Sequence, residues 1–81
     1  MRPIFSHRFV RQLEKFSPTV QRVFYKQLGL LVGNLRHPSL RAKKYEEGKG
    51  TWQARVDQDI RFYFLIEDDT YILLDIKKHP K

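Results

Sequence analysis

Six residues in the last third of the chain, TWQARVDQDIRFYFLIEDDTYILLDIKKHPK, have types and spacing that could do chemistry. They are Arg55, Arg61, Tyr63, Asp75, Lys77 and His79, all at odd positions. In extended backbone alternate residues share a face, so the six fall together on one side of a sheet. Two arginines and a lysine on one face suit an anion, because each guanidinium presents a rigid fork of donors to phosphate oxygens. His79 adds an imidazole that can hold a proton near neutral pH. Asp75 adds a carboxylate one step from the cations, beside Tyr63. Cations around a phosphate, a protonatable ring and a carboxylate are the parts that phosphoryl chemistry by general acid–base catalysis uses.

The elements that must position these groups follow from the apolar residues between them. Trp52, Ala54 and Val56 alternate with polar neighbours, as do Ile60, Phe62, Phe64 and Ile66, and then Ile72, Leu74 and Ile76. These even-numbered residues predict three strands with one apolar face turned to the helices, and Trp52 is assigned to that core. Cross-strand partners share a face, so even positions should oppose even positions. A three-residue turn at Asp57–Gln58–Asp59 sets Arg55 opposite Arg61. A second at Asp68–Asp69–Thr70 sets Phe64 opposite Leu74, Tyr63 opposite Asp75, and Arg61 opposite Lys77. The row Arg55–Arg61–Lys77 then opposes like charges, which costs stability unless an anion sits there. On this reading, removing Arg61 leaves the fold within about 1 kcal/mol of its starting stability, or slightly above it. Bland readings stand beside each residue: Arg61 paired with Asp59 or Asp75, His79 a frayed end, Tyr63 and Tyr71 ordinary strand formers.

Upstream, Ile4 and Phe5 after Pro3 predict a short edge strand. Ser6 is the N-cap of a helix near residues 7–15, with Phe9, Leu13 and Phe16 at helical spacing. Ser17 caps a second helix, with Pro18 in its first turn. Val20, Val23, Phe24, Leu28, Leu31 and Leu35 make its apolar face; Arg22, Lys26 and Gln27 lie away from it. Pro38 ends it between Asn34 and His37. The stretch PSLRAKKYEEGKG reads as a polar, basic loop, with Lys43, Lys44 and Lys49 as a cationic lip beside the sheet face. The predicted fold class is α+β, ordered β-α-α-β-β-β: an antiparallel sheet with a helical hairpin packed on one face, in a single domain over 1–81.

Charge points to the partner. Sixteen Lys and Arg against nine Asp and Glu give +7, a self-repulsion that a polyanion relieves. With no cysteine, neither a disulfide nor a thiolate metal site is expected. No cluster of His, Asp and Glu has metal-ligand spacing, so no metal or cofactor is expected. No stretch has the apolar length of a signal peptide or a membrane span, so the expectation is a cytoplasmic protein without a membrane partner.

The element order, the basic balance and the string WQARVDQDIRFYFLIEDDTYILLDIKKH resemble the RelE/ParE superfamily of toxins. The likeness runs over almost the whole chain. It rests on Arg55-Val56, on Arg61 followed by alternating aromatics, and on the acidic turn, the apolar strand and His79. The resemblance implies the toxin of a type II toxin–antitoxin pair, neutralised by an antitoxin encoded nearby. In the RelE-like branch it implies an endoribonuclease that cuts mRNA, commonly on the ribosome, without a metal. Arg61 then matches the arginine that stabilises the transition-state phosphate, and His79 the general acid. Arg55, Lys77, Lys43, Lys44, Lys49 and Tyr63 are left to bind substrate. Asp75, Glu46 and Glu47 are the candidates for the base. Relatives commonly carry a tyrosine or a final helix beyond this point, where this sequence has Pro80 and Lys81. Two other functions stay open: a ParE-like inhibitor of DNA gyrase without nuclease activity, and a non-toxic basic RNA-binding module.

Overall fold

A computed structural model describes residues 1–79, apart from the side chains of Glu46 and Glu47. The chain begins with strand β1 (Arg2–Phe5), helix α1 (His7–Glu14) and helix α2 (Pro18–Gly33). Both helices start as their caps dictate. The Ser6 hydroxyl accepts from the Phe9 amide at 3.1 Å, and the Ser17 hydroxyl from the Val20 amide at 3.2 Å. Strands β2 (Lys43–Glu46), β3 (Thr51–Arg55), β4 (Ile60–Glu67) and β5 (Thr70–Lys78) follow.

The five strands form one sheet in the order β1-β5-β4-β3-β2. Two features differ from the sequence expectation. The sheet is mixed rather than antiparallel, because β1 runs parallel to β5. The two helices and strands β2 to β4 lie between them in sequence, so β5 returns beside β1 after a long crossover, as parallel pairing requires. The basic stretch after Pro38 is also not a plain loop. It holds a 3₁₀ turn (Pro38–Leu40), strand β2 and a second 3₁₀ turn (Glu47–Lys49).

The core lies between the helices and one sheet face. Phe9 of α1 meets Phe24 of α2 at 5.1 Å between ring centroids, and Phe24 meets Phe62 of β4 edge-on at 5.3 Å. Leu13, Leu28, Leu31, Leu40, Ala54, Val56, Ile60, Phe64, Tyr71, Leu73 and Ile76 complete it. Trp52 packs against this cluster, its ring stacked over Phe64.

The parity expectation holds along β3 and β4 and breaks in β5. There Tyr71 and Leu73 are buried in place of Ile72 and Leu74, and Phe64 opposes Leu73 rather than Leu74. The cause is the turn. Glu67 pairs with Thr70, leaving a two-residue turn at Asp68–Asp69, with Asp68 in the left-handed region at φ 53°. That shifts the register by one residue, and a bulge at Leu74 absorbs the shift. Beyond the bulge the expected pairs return: Tyr63 with Asp75, and Arg61 with Lys77.

Candidate functional site

The face of the sheet away from the helices carries the expected row. Arg55 opposes Arg61, and Arg61 opposes Lys77. A second row runs beside it through Lys43, Gln53, Tyr63 and Asp75. Where the rows meet, a cavity of about 300 Å³ is lined by Arg41, Lys43, Gln53, Arg55, Arg61 and His79.

The turn between β3 and β4 builds this site. The Asp57 carboxylate accepts from the amides of Asp59 and Ile60, both at 2.8 Å, which closes the turn on itself. The turn then holds two functional groups. Its Asp57 carbonyl accepts from Arg61 Nη1 at 2.7 Å, and the Ile60 carbonyl accepts from the same nitrogen at 3.2 Å. Its Asp59 carbonyl accepts from the His79 amide at 2.6 Å, so His79 is tied to the sheet rather than frayed. Arg61 is thus not an exposed side chain paired with Asp59 or Asp75. It is 6% exposed and anchored on backbone carbonyls through one nitrogen.

Arg55 is positioned from the other side of the sheet. Gln27 of α2, read from sequence as facing away from the core, is buried. Its side-chain amide donates to the Arg55 carbonyl at 3.0 Å and to the Ser39 carbonyl at 3.3 Å. The burial covers the loss of two backbone partners that would otherwise be left dry.

The electrostatics are one-sided. Among the described residues no carboxylate lines the cavity, and the Asp75 carboxylate is paired with Arg8 at 3.3 Å. Arg55 is pushed below the usual guanidinium range by desolvation, then by the neighbouring charges of Arg41 and Arg61. It remains a cation at neutral pH. Gln53 is nearly buried and lines the cavity. A cavity of this kind can take a phosphate: it has several donors and positive potential, and no carboxylate lines it among the described residues.

The other predicted residues divide. Asp75 does not join the cavity; its carboxylate faces Arg8 and accepts from the Ile76 amide at 2.9 Å. Lys77 stands in its row, but its ammonium lies 5.1 Å from the centre of the Tyr63 ring. Lys44 and Lys49 do not line the cavity. The side chains of Glu46 and Glu47 lie outside the described residues, as do Pro80 and Lys81. Tyr63 is buried under Lys77 and Tyr45, and its hydroxyl is pushed above the usual range by desolvation, then by Tyr45. Arg41 and Gln53 were missed by the sequence reading. Arg41 sits in the left-handed region at φ 46°, where the chain turns from the first 3₁₀ segment towards β2. That left-handed turn, which no strand periodicity signals, is what brings Arg41 to the cavity beside Lys43.

A larger, open hollow of about 700 Å³ runs along α1 from His7 to Lys15. It is a trough between exposed helix side chains, holds Glu14 among its cations and contains none of the predicted residues.

No protein-family model and no curated protein sequence matches the chain. Solved structures do. The YoeB dimer from Staphylococcus aureus superposes with a TM-score of 0.82 at 14% identity, covering 99% of this chain and 98% of that chain. The YoeB/ParE toxin from Agrobacterium tumefaciens gives 0.80 at 9% identity, covering 99% and 100%. The archaeal RelE–RelB complex from Pyrococcus horikoshii gives 0.79 at 18% identity, covering 95% and 92%. At these identities what is shared is the fold.

Proposed function

We propose that this chain, which has the fold of the YoeB and RelE toxins, is the toxin of a toxin–antitoxin pair and cleaves RNA in the Arg41–His79 cavity. The observation that carries the reading is the cavity itself: Arg41, Lys43, Arg55 and Arg61 converge with His79, and no described carboxylate offsets them. Residues 1–81 make one toxin domain. The domain acts in the cytoplasm, where messenger RNA and the ribosome are present. Among the described residues no helix is long and apolar enough to cross a membrane.

The chemistry needs only the chain and its substrate. The 2′ oxygen of one nucleotide attacks the adjoining phosphorus in line, a bond forms there, and the bond to the 5′ oxygen of the next nucleotide breaks. Arg55 and Arg61 hold the charge of the phosphorane, which is larger than that of the ground-state diester, so their attraction grows in the transition state. Because Arg61 is already fixed by the Asp57–Ile60 turn, little reorganisation is needed when that charge develops. His79 gives a proton to the departing 5′ oxygen. The cations also favour ionisation of the 2′ hydroxyl, whose proton passes to solvent, Asp75 being engaged by Arg8. The products are a 2′,3′-cyclic phosphate and a 5′ hydroxyl.

A partner fits the same face. RelE is bound to RelB in the archaeal complex. An acidic antitoxin segment laid over the cavity would offset the +7 charge and block the site.

Cleavage of a labelled messenger RNA, with and without ribosomes, tests the reading. Wild-type protein should cut, and His79→Ala should cut about 10²–10⁴-fold more slowly while binding RNA with unchanged affinity. Loss of gyrase supercoiling activity with intact RNA would instead support the gyrase-directed alternative.

A further inference from the structure

Tyr45 lies beside the cavity and takes no part in the chemistry above. It is the extra residue of a bulge in β2, between Lys44 paired with Trp52 and Glu46 paired with Thr51. Bulges re-aim side chains, and this one turns Tyr45 onto the open face. Its ring meets Tyr63 edge-on, with centroids 5.0 Å apart and planes at 63°. Tyr63 is itself fixed from above by Lys77. Tyr45 therefore stands on a firm base, yet half of its own surface is open to solvent.

The ladder sets its distance from the cavity. Tyr63 opposes Gln53, which lines the cavity and opposes Lys43, another lining residue. Tyr45 is two residues from the lining Lys43 along β2, about 7 Å at strand rise. That is the span from a nucleotide's phosphate to its base. An exposed aromatic ring one row from a cluster of cations, with no carboxylate among the described lining residues, matches the two halves of a nucleotide: a charged phosphate and a flat, apolar base.

We propose that Tyr45 is a stacking platform for the unpaired base of the nucleotide whose phosphate occupies the Arg41–His79 cavity. This rests on the RNA reading above and sharpens it: the substrate is single-stranded at the cut, because a paired base cannot turn onto the ring. Gln53, which opposes Tyr63 and lines the cavity, would lie between the base and the phosphate. Recognition by stacking tolerates any base, so selectivity is for an unpaired strand rather than for a sequence.

The competing role for Tyr45 is to cover Tyr63, and leucine would do that without offering a π face. The experiment measures binding of a short, single-stranded, fully 2′-O-methylated RNA, which cannot be cut by 2′ attack. An abasic site is placed at each position in turn. Tyr45→Phe should bind like wild type. Tyr45→Leu should bind about 5–150-fold more weakly, from the usual value of a base–aromatic stack. One abasic position should weaken wild type by the same factor and leave Tyr45→Leu unchanged. Wild-type affinity in Tyr45→Leu, or independent losses from the abasic site and the leucine, would overturn the platform while leaving the RNA reading intact. Absence of RNA binding by wild type would overturn both.

Discussion

Truncating Arg61 to alanine separates what the structure says from what the sequence row alone says. The row sets Arg61 between Arg55 and Lys77, so removing it should relieve repulsion and leave stability level or improved. The structure reverses that sign. Arg61 Nη1 donates at 2.7 Å to the Asp57 carbonyl and at 3.2 Å to the Ile60 carbonyl. A hydrogen bond from a charged donor contributes about 1.5–3 kcal/mol net. Truncation orphans neither acceptor: the Ile60 carbonyl keeps the Val56 amide at 2.9 Å, and Asp57 is exposed and can rehydrate. The loss is therefore that of the bonds themselves, offset in part by relief of the opposed charge. A net cost of about 1–2 kcal/mol follows, which lowers Tm by about 4–16 °C in a domain of this size. Salt adds a second sign. Repulsion across the open face is screened as the Debye length falls to about 3 Å at 1 M salt, while the carbonyl bonds persist, so the loss of Tm should widen as salt is added. Thermal unfolding followed by Trp52 fluorescence at low and high salt reads both effects. An Arg61→Ala protein as stable as wild type, or more stable at low salt, would refute the anchoring of Arg61 by the turn.

Three further outcomes follow from the same contacts. Gln27→Leu leaves the Arg55 and Ser39 carbonyls without their donor, which should cost about 1–3 kcal/mol of stability by denaturant unfolding and weaken RNA binding from the far side of the sheet. Asp75→Asn should leave the cleavage rate within a few-fold of wild type in a single-turnover assay, because the carboxylate is held by Arg8 outside the cavity. Arg55→Ala should reduce the slope of log affinity for RNA against log salt by about 0.7, the loss of one contact to a single strand, in a fluorescence titration series.

Much of the fold was legible because local signals agreed with each other. Ser6 and Ser17 stand where capping chemistry needs them, and the alternation from Trp52 to Ile66 marks the face that packs on the helices. The row Arg55–Arg61–Lys77 followed from parity alone. What stayed hidden depended on geometry that parity cannot carry. The Asp68–Asp69 turn and the Leu74 bulge cancel one another, so the register at Asp75 was right while the faces of Ile72 and Leu74 were reversed. Strand β2 was hidden because KKYE is polar and sits at a sheet edge, where lysines guard against further pairing and no apolar alternation is needed. With β2 unseen, Tyr45 had no face to belong to, and Arg41 is placed by a left-handed turn that no periodicity marks. The burial of Gln27 and Arg61 was illegible for another reason: each is a polar side chain whose partners are backbone carbonyls distant in sequence or set by a turn. Residue type does not reveal such partners.

The chemistry of the cut ends tests the central claim most directly. RNA is incubated with the purified protein, with and without ribosomes, and the new termini are identified by mass spectrometry and by their susceptibility to end-specific labelling. Attack by the 2′ oxygen in the Arg41–His79 cavity predicts a 2′,3′-cyclic phosphate on one fragment and a 5′ hydroxyl on the other, with both products strongly reduced in Arg61→Ala and His79→Ala. A 5′ phosphate terminus, or cleavage that survives both substitutions, would contradict it.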